Sequence, residues 1–307
     1  MEKNTHFNVA VIGQGPAGLT SALYTARSGL STVVFERMGP GGQMTETEHL
    51  DNYPGFAEGV SPFDLAFAMS AQANRFGAVS VNEEISSLDL ASSPKKLVTA
   101  FGNEYTADVV ILAMGGTACL GVNREGELAG KAFHTARRAT AGSSVENRRW
   151  WEAATRRSAT CCIFLASAPR FTWSIVARAA LTSAPRMRCR PRQRDGSVNS
   201  VVDGLHDEDG KLSAVTVRNV KTGNSFELPT SALFVAVGTQ PKNALLEGSG
   251  IELDAAGYVV AGESGATSIP GVFVAGDLRT KALRQVSTAV GDGANAANAA
   301  FEFLSLS

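Results

Sequence analysis

Cysteine is scarce: the 307-residue chain has four. Cys119, Cys161, Cys162 and Cys189 are too few and too unevenly placed for a secreted disulfide scaffold. No Cys-x-x-Cys occurs, so neither a redox pair nor a metal site follows from the thiols. Net charge is also small. Lys and Arg number 28 against 29 Asp and Glu, a formal −1, which offers no overall electrostatic attraction to nucleic acid or to a membrane surface. Uncharged apolar stretches fall well short of the roughly 20 residues that span a bilayer. The N-terminus is polar and runs directly into a strand-like segment, with no targeting segment legible, and the expected location is the cytoplasm. The four histidines, His6, His49, His134 and His206, are scattered as loop or surface residues are.

What is present is glycine, 31 residues in all, set in short runs beside apolar segments. Asn8–Ile12 is a β-branched run that predicts a buried parallel strand. Gly13-Gln-Gly15-Pro16-Ala17-Gly18 follows, then a helix over Leu19–Ser28 and a second strand over Ser31–Phe35 ending in Glu36. Strand, Gly-x-Gly-x-x-Gly turn, helix, strand and terminal acid together form a dinucleotide-binding fingerprint. Its glycines let backbone N–H groups approach a pyrophosphate, and Glu36 is placed to accept a hydrogen bond from a ribose hydroxyl. Two further loops, Gly39-Pro-Gly41-Gly42-Gln43 and Asp51-Asn52-Tyr53-Pro54-Gly55-Phe56, suit close approach to a ligand, with amide side chains to read a ring edge. Apolar runs stopped by glycine recur at Val109–Gly115 and Leu233–Gly238. Near the C-terminus, a strand-like segment over Thr267–Ala275 enters Gly276-Asp277, and Arg284-Gln285-Val286 opens an Ala/Gly-rich helix through Ala300.

These segments resemble the flavin domain of the low-molecular-weight thioredoxin reductases. The resemblance implies an α/β fold of two Rossmann-like, three-layer nucleotide-binding domains. A FAD domain over 1–118 and 236–307 would be split by an NADPH/disulfide-type domain over 119–235. By position it assigns Gly13, Gly15, Pro16, Ala17, Gly18, Glu36, Gly41, Gly42, Gln43, Asn52, Gly276, Asp277, Arg284, Gln285 and Val286 to FAD, with Asp277 on the ribityl chain and the Arg284–Val286 helix start facing the pyrimidine. It further implies NADPH as electron donor, thioredoxin as partner and a homodimer; charge, apolar run length and cysteine spacing lead separately to the expectation of no nucleic acid, membrane or metal.

The middle of the chain departs from this pattern. From Ala136 to Arg194 there are 13 Arg, no Lys and only two acids, Glu146 and Glu152, so this stretch carries +11 and the remainder −12. Where the resembled family has Cys-Ala-Thr-Cys, this chain has Ala136-Arg-Arg-Ala139. Where the family has a second glycine fingerprint, it has Trp150-Trp-Glu-Ala-Ala-Thr155. The Arg positions follow neither helical nor strand spacing, and Pro185 and Pro191 interrupt them, which argues against a nucleic-acid surface.

Reverse translation offers another reading. Thr135–Ala141, read from the third base of the first codon, permits Cys-Ala-Thr-Cys-Asp-Gly. Trp150–Arg156 in the same frame permits Val-Gly-Gly-Gly-Asp-Ser, and Ser174–Arg178 permits His-Arg-Arg, basic residues suited to a 2′-phosphate. Residues 136–197 therefore read as translated out of frame, and the expected function is a thioredoxin reductase-like flavoprotein whose chain, as it stands, lacks its thiols and nicotinamide site and is inactive. The alternatives are a thiol-free flavoenzyme similar to ferredoxin-NADP reductases, or a degenerate, non-catalytic FAD-binding protein.

Overall fold

The computed structural model describes residues 5–47, 49–117, 133–135, 162–166, 200–209, 211–229, 232–236 and 239–306. The chain divides into two compact units, Met1–Thr117 with Gln240–Ser307, and Ala118–Thr239.

The first unit is built on a seven-stranded sheet. Strands β1 (His6–Ile12), β2 (Thr32–Phe35) and β3 (Val79–Val81) pair in parallel with β2 between the other two, and β6 (Glu104–Leu112) joins the other side of β1. The far edge of β6 is shared. Its first half pairs antiparallel with β5 (Lys95–Thr99), which is followed outward by β4 (Ile85–Asp89). Its second half pairs in parallel with β15 (Val272–Val274), so the C-terminal part of the chain completes the sheet begun by the N-terminal part. Between these segments, β7 (Gly116–Thr117) and β14 (Gln240–Pro241) pair antiparallel where the chain leaves and re-enters the unit.

Alternation of side chains sorts the strand residues onto two buried faces. Ala10, Ile12, Val33, Phe35, Val110, Leu112, Val272 and Val274 share one core with Leu90, Leu97, Val259 and Leu278. Val9, Val11, Val34, Val109, Ile111 and Phe273 form the other with Ala17, Ala22 and Ala26 of α1 (Pro16–Arg27) and Ala289, Ala296 and Ala300 of α3 (Val286–Leu306). Small residues dominate the helical side because the two helices pack closely: Ser21 Oγ donates to Gly293 O at 3.1 Å, and a Cβ at Gly293 would collide with Ala17 O. The remaining helix, α2 (Pro62–Arg75), starts with Ser61 as N-cap, whose hydroxyl accepts from Asp64 N at 3.3 Å.

The sequence-predicted elements of this unit are present, with shifted bounds. The first helix starts at Pro16 rather than Leu19, since proline suits the first helical turn. Strand β6 stops at Leu112, short of the expected Gly115, which itself has a φ of +70°. The last helix continues beyond Ala300 to Leu306.

In the second unit, β10 (Ser200–Glu208), β11 (Lys211–Asn219) and β12 (Ser225–Pro229) form an antiparallel meander. Its β11–β12 turn includes Gly223 at φ +76°. A separate three-stranded sheet places β13 (Ala232–Ala236) between β8 (Phe133–Thr135), which is parallel to it, and β9 (Cys162–Ala166), which is antiparallel.

Candidate functional site

The last residues of four parallel strands lie side by side: Ile12 pairs with Phe35 and with Leu112, and Leu112 pairs with Val274. The chain therefore leaves the sheet at one level at Gly13, Glu36, Ala113 and Ala275. In open α/β sheets this carboxyl edge is where ligands bind, and the sequence-predicted residues of the first unit gather there.

The glycine turn is held from two sides. Gly13 N donates to Phe35 O at 2.8 Å, and Gln14 N donates to Glu36 Oε2 at 3.1 Å, so the acid at the end of β2 reaches back across the turn. Gly13 has a φ of +107°, and a Cβ there would lie 2.5 Å from Ala113 O; a Cβ at Gly18 would collide with Gly13 O. These two glycines are thus required by the close passage of backbone on backbone. Gly15, in contrast, has open space where a side chain would stand. It is the N-cap of α1, with no side-chain cap and no acid in the first turn. That leaves a helix end suited to an anion.

The second loop docks on the first. Gly41 N donates to Gln14 O at 2.7 Å, and the following 3₁₀ turn, Gly42–Glu46, buries Met44 against Leu50, Leu65 and Ala66. Tyr53 and Val286 pack on the same cluster, so the Asp51–Phe56 loop and the start of α3 share one support. Asn52 Nδ2 donates to Gln285 Oε1 at 2.9 Å, joining residues 233 positions apart. Tyr53 and Phe56 stack with ring centroids 6.1 Å apart, and the Asp51–Ala57 loop lines a shallow depression open to the surface.

The C-terminal contribution is a strap, Gly276–Gln285, between β15 and α3. Gly276 adopts a φ of +76°, and a Cβ there would stand 2.8 Å from Ala17 Cβ, so the strap begins pressed against α1. Asp277 sits in a 3₁₀ turn, its side chain 11% exposed, with Lys281 Nζ 3.8 Å away. The Arg284 guanidinium lies 3.9 Å over the Tyr258 ring and donates to the backbone carbonyls of Asp277, Arg279 and Lys281 at 3.2–3.4 Å. Its charge is directed into the strap itself. Behind the strap lies a buried set that the sequence pattern does not single out: Arg279 and Lys281 both donate to Asp292 on α3.

Ala136 and Ala139, where the resembled family carries its thiols, lie outside the described residues, as do Trp150–Thr155 and most of the Arg-rich segment. Among the described residues no group of three or more His, Cys, Asp or Glu is placed to hold a metal ion, and no helix is long and apolar enough to cross a membrane.

Residues 7–153 and 197–293 match the family model of the pyridine nucleotide-disulphide oxidoreductases. The chain is 34% identical to a thioredoxin reductase of Streptomyces clavuligerus over 303 residues, covering 97% of this chain and 94% of that one. Its fold is similar to the crystal structure of thioredoxin reductase from Streptococcus pyogenes, with a TM-score of 0.73 and 29% identity over 99% of this chain and 100% of that one. The Lactococcus lactis thioredoxin reductase gives 0.70 and 27% over 98% and 100%. With a family match over most of its length and a curated relative at this identity, the chain belongs to the pyridine nucleotide-disulphide oxidoreductases and is thioredoxin reductase-like within them.

Proposed function

We propose that the first unit binds FAD, and that the chain is a thioredoxin reductase-like flavoprotein whose redox-active thiols are missing from its amino-acid sequence. The observation that carries the first part is convergence. The glycine turn, Glu36, the Gly41–Gln43 loop, Asn52 and the Gly276–Val286 strap come from separate stretches of chain and meet at one sheet edge. The residues fit the cofactor: an uncapped helix end faces open space at Gly15, and the turn that leads to it tolerates no Cβ at Gly13 or Gly18.

In this reading the α1 amides after Gly15 hold the pyrophosphate, with Pro16, Ala17 and Gly18 forming the turn wall. Glu36 accepts from the adenosine ribose while retaining the Gln14 amide. Gly41, Gly42, Gln43 and Asn52 line the ring system, and Asp277 accepts from the ribityl hydroxyls. The N-terminus of α3 at Val286 presents its positive end to the pyrimidine, and Gln285 sets the Asn52 amide. Arg284 acts by fixing the strap, since its guanidinium is directed at backbone carbonyls and Tyr258. Bound FAD supplies two-electron chemistry between a nicotinamide and a disulfide, and the family uses FAD and NADPH.

The remaining chemistry has no residues to perform it. Ala136 and Ala139 have no sulfur, and Trp150–Thr155 has no glycine to approach a pyrophosphate, so neither disulfide reduction nor NADPH binding fits the residues present. An out-of-frame segment over 136–197 accounts for both losses together. One observation supports it for part of that length: the family match passes over 154–196, while it retains 136–153. Restored in frame, the chain would reduce thioredoxin as a homodimer in the cytoplasm; as it stands, it is a FAD-binding protein without turnover. Flavin fluorescence titration of the purified full-length chain tests the first statement. Sequencing the coding DNA from the Thr135 to the Val198 codon tests the second. Compensating single-base shifts are the expected result, and an unbroken match to the present sequence would remove the frame argument.

A further inference from the structure

We infer that Asp292 is a positioning residue for the flavin site, acting through Lys281 and the strap to set Asp277. The inference rests on the proposal that the first unit binds FAD.

Asp292 stands on the buried face of α3, six residues after its start, with its side chain 7% exposed. Oδ1 accepts from Arg279 Nη2 at 2.6 Å, and Oδ2 accepts from Lys281 Nζ at 2.7 Å and from Gly276 N at 3.1 Å. One carboxylate therefore holds the strap at three points, Gly276, Arg279 and Lys281, and Asp277 lies between the first two. Lys281 is as buried as its partner, 6% exposed, and its ammonium is also 3.8 Å from Asp277 Oδ1. The helix that carries Asp292 is in turn fixed on α1 next door, where Gly293 abuts Ala17 O and receives the Ser21 hydroxyl. The flavin turn, α1, α3 and the strap are thus linked through one position.

A buried ammonium needs an anion, and removing one partner of such a pair leaves the other uncompensated. With Asp292 present, Lys281 makes its short contact there, and Asp277 is held at the longer distance, where its carboxylate can accept from the ribityl hydroxyls. Without Asp292, Asp277 is the carboxylate already beside Lys281 and is drawn onto the ammonium, while Gly276 N loses its acceptor. The positive charge left beside the site also favours an electron-rich, reduced flavin.

The test uses the full-length chain and three variants, read by FAD dissociation constant, flavin midpoint potential and melting of the apo-protein. D292N is expected to weaken FAD at least tenfold and to move the midpoint potential to more positive values. K281M/D292N removes the ammonium that would capture Asp277, while Arg279 keeps its bond to the Thr280 carbonyl; it is expected to recover affinity to within about threefold of the parent and to return the potential towards it. D292E, which keeps the charge, is expected to lie between parent and D292N. FAD binding by D292N within twofold of the parent overturns the inference, as does a double variant no tighter than D292N, because Asp292 would then serve the fold alone. If the parent binds no FAD, the flavin proposal itself fails, and the inference with it.

Discussion

At Gly18 the reason for glycine is steric: any Cβ would collide with Gly13 O. Gly18→Ala is therefore expected to destabilise the apo-protein by about 3 kcal/mol, the upper part of the range for overpacking, read by chemical denaturation. Gly15→Ala, facing open space, should leave stability nearly unchanged while weakening FAD, if that space belongs to the pyrophosphate. Glu36 has a different task, because its carboxylate accepts from Gln14 N and would also accept from the ribose. Glu36→Gln keeps one acceptor but loses the charge; FAD affinity is expected to fall about tenfold, equal to about 1.4 kcal/mol, and unchanged affinity would place the ribose elsewhere. These residues were legible in the sequence because three glycines at that spacing, set between two apolar runs and followed by an acid, answer a specific steric and hydrogen-bonding need. Arg279, Lys281 and Asp292 were not, since their spacing follows no periodicity and they meet only when the strap folds against α3.

Among the elements, β1, β2, β6 and β15 could be read from continuous apolar runs, as strands covered on both faces can. The β4–β5 pair and α2 carried weaker signals, because both are partly exposed and mix polar with apolar positions. In the second unit, β10 and β11 are joined across a register shift between Val202 and Gly204. Asp203, between them, accepts two hydrogen bonds from Arg218 at 3.0 and 3.1 Å. The Arg218 side chain holds the Asp203 carboxyl below its usual range. A carboxylate whose pKa is lower folded than unfolded contributes stability above the unfolded value, roughly pH 4, and loses it as the pH falls through the folded value. Thermal melts of Asp203→Asn should accordingly lose less stability than the parent between about pH 4 and pH 2, by a small amount because the pair is exposed. Equal pH profiles would show that the pair contributes nothing to the meander.

For the molecule as a whole, the sequence separates by chemistry into a glycine-rich flavin part and an Arg-rich interruption without Lys. The central claim joins both parts: the chain holds a working flavin site and no redox-active disulfide. Its most direct test is one preparation of the full-length chain, mass-verified, loaded with FAD and supplied with NADPH and an oxidised thioredoxin. The account predicts about one FAD per chain and no thioredoxin reduction; steady NADPH-dependent turnover, or a chain that retains no FAD, would contradict it.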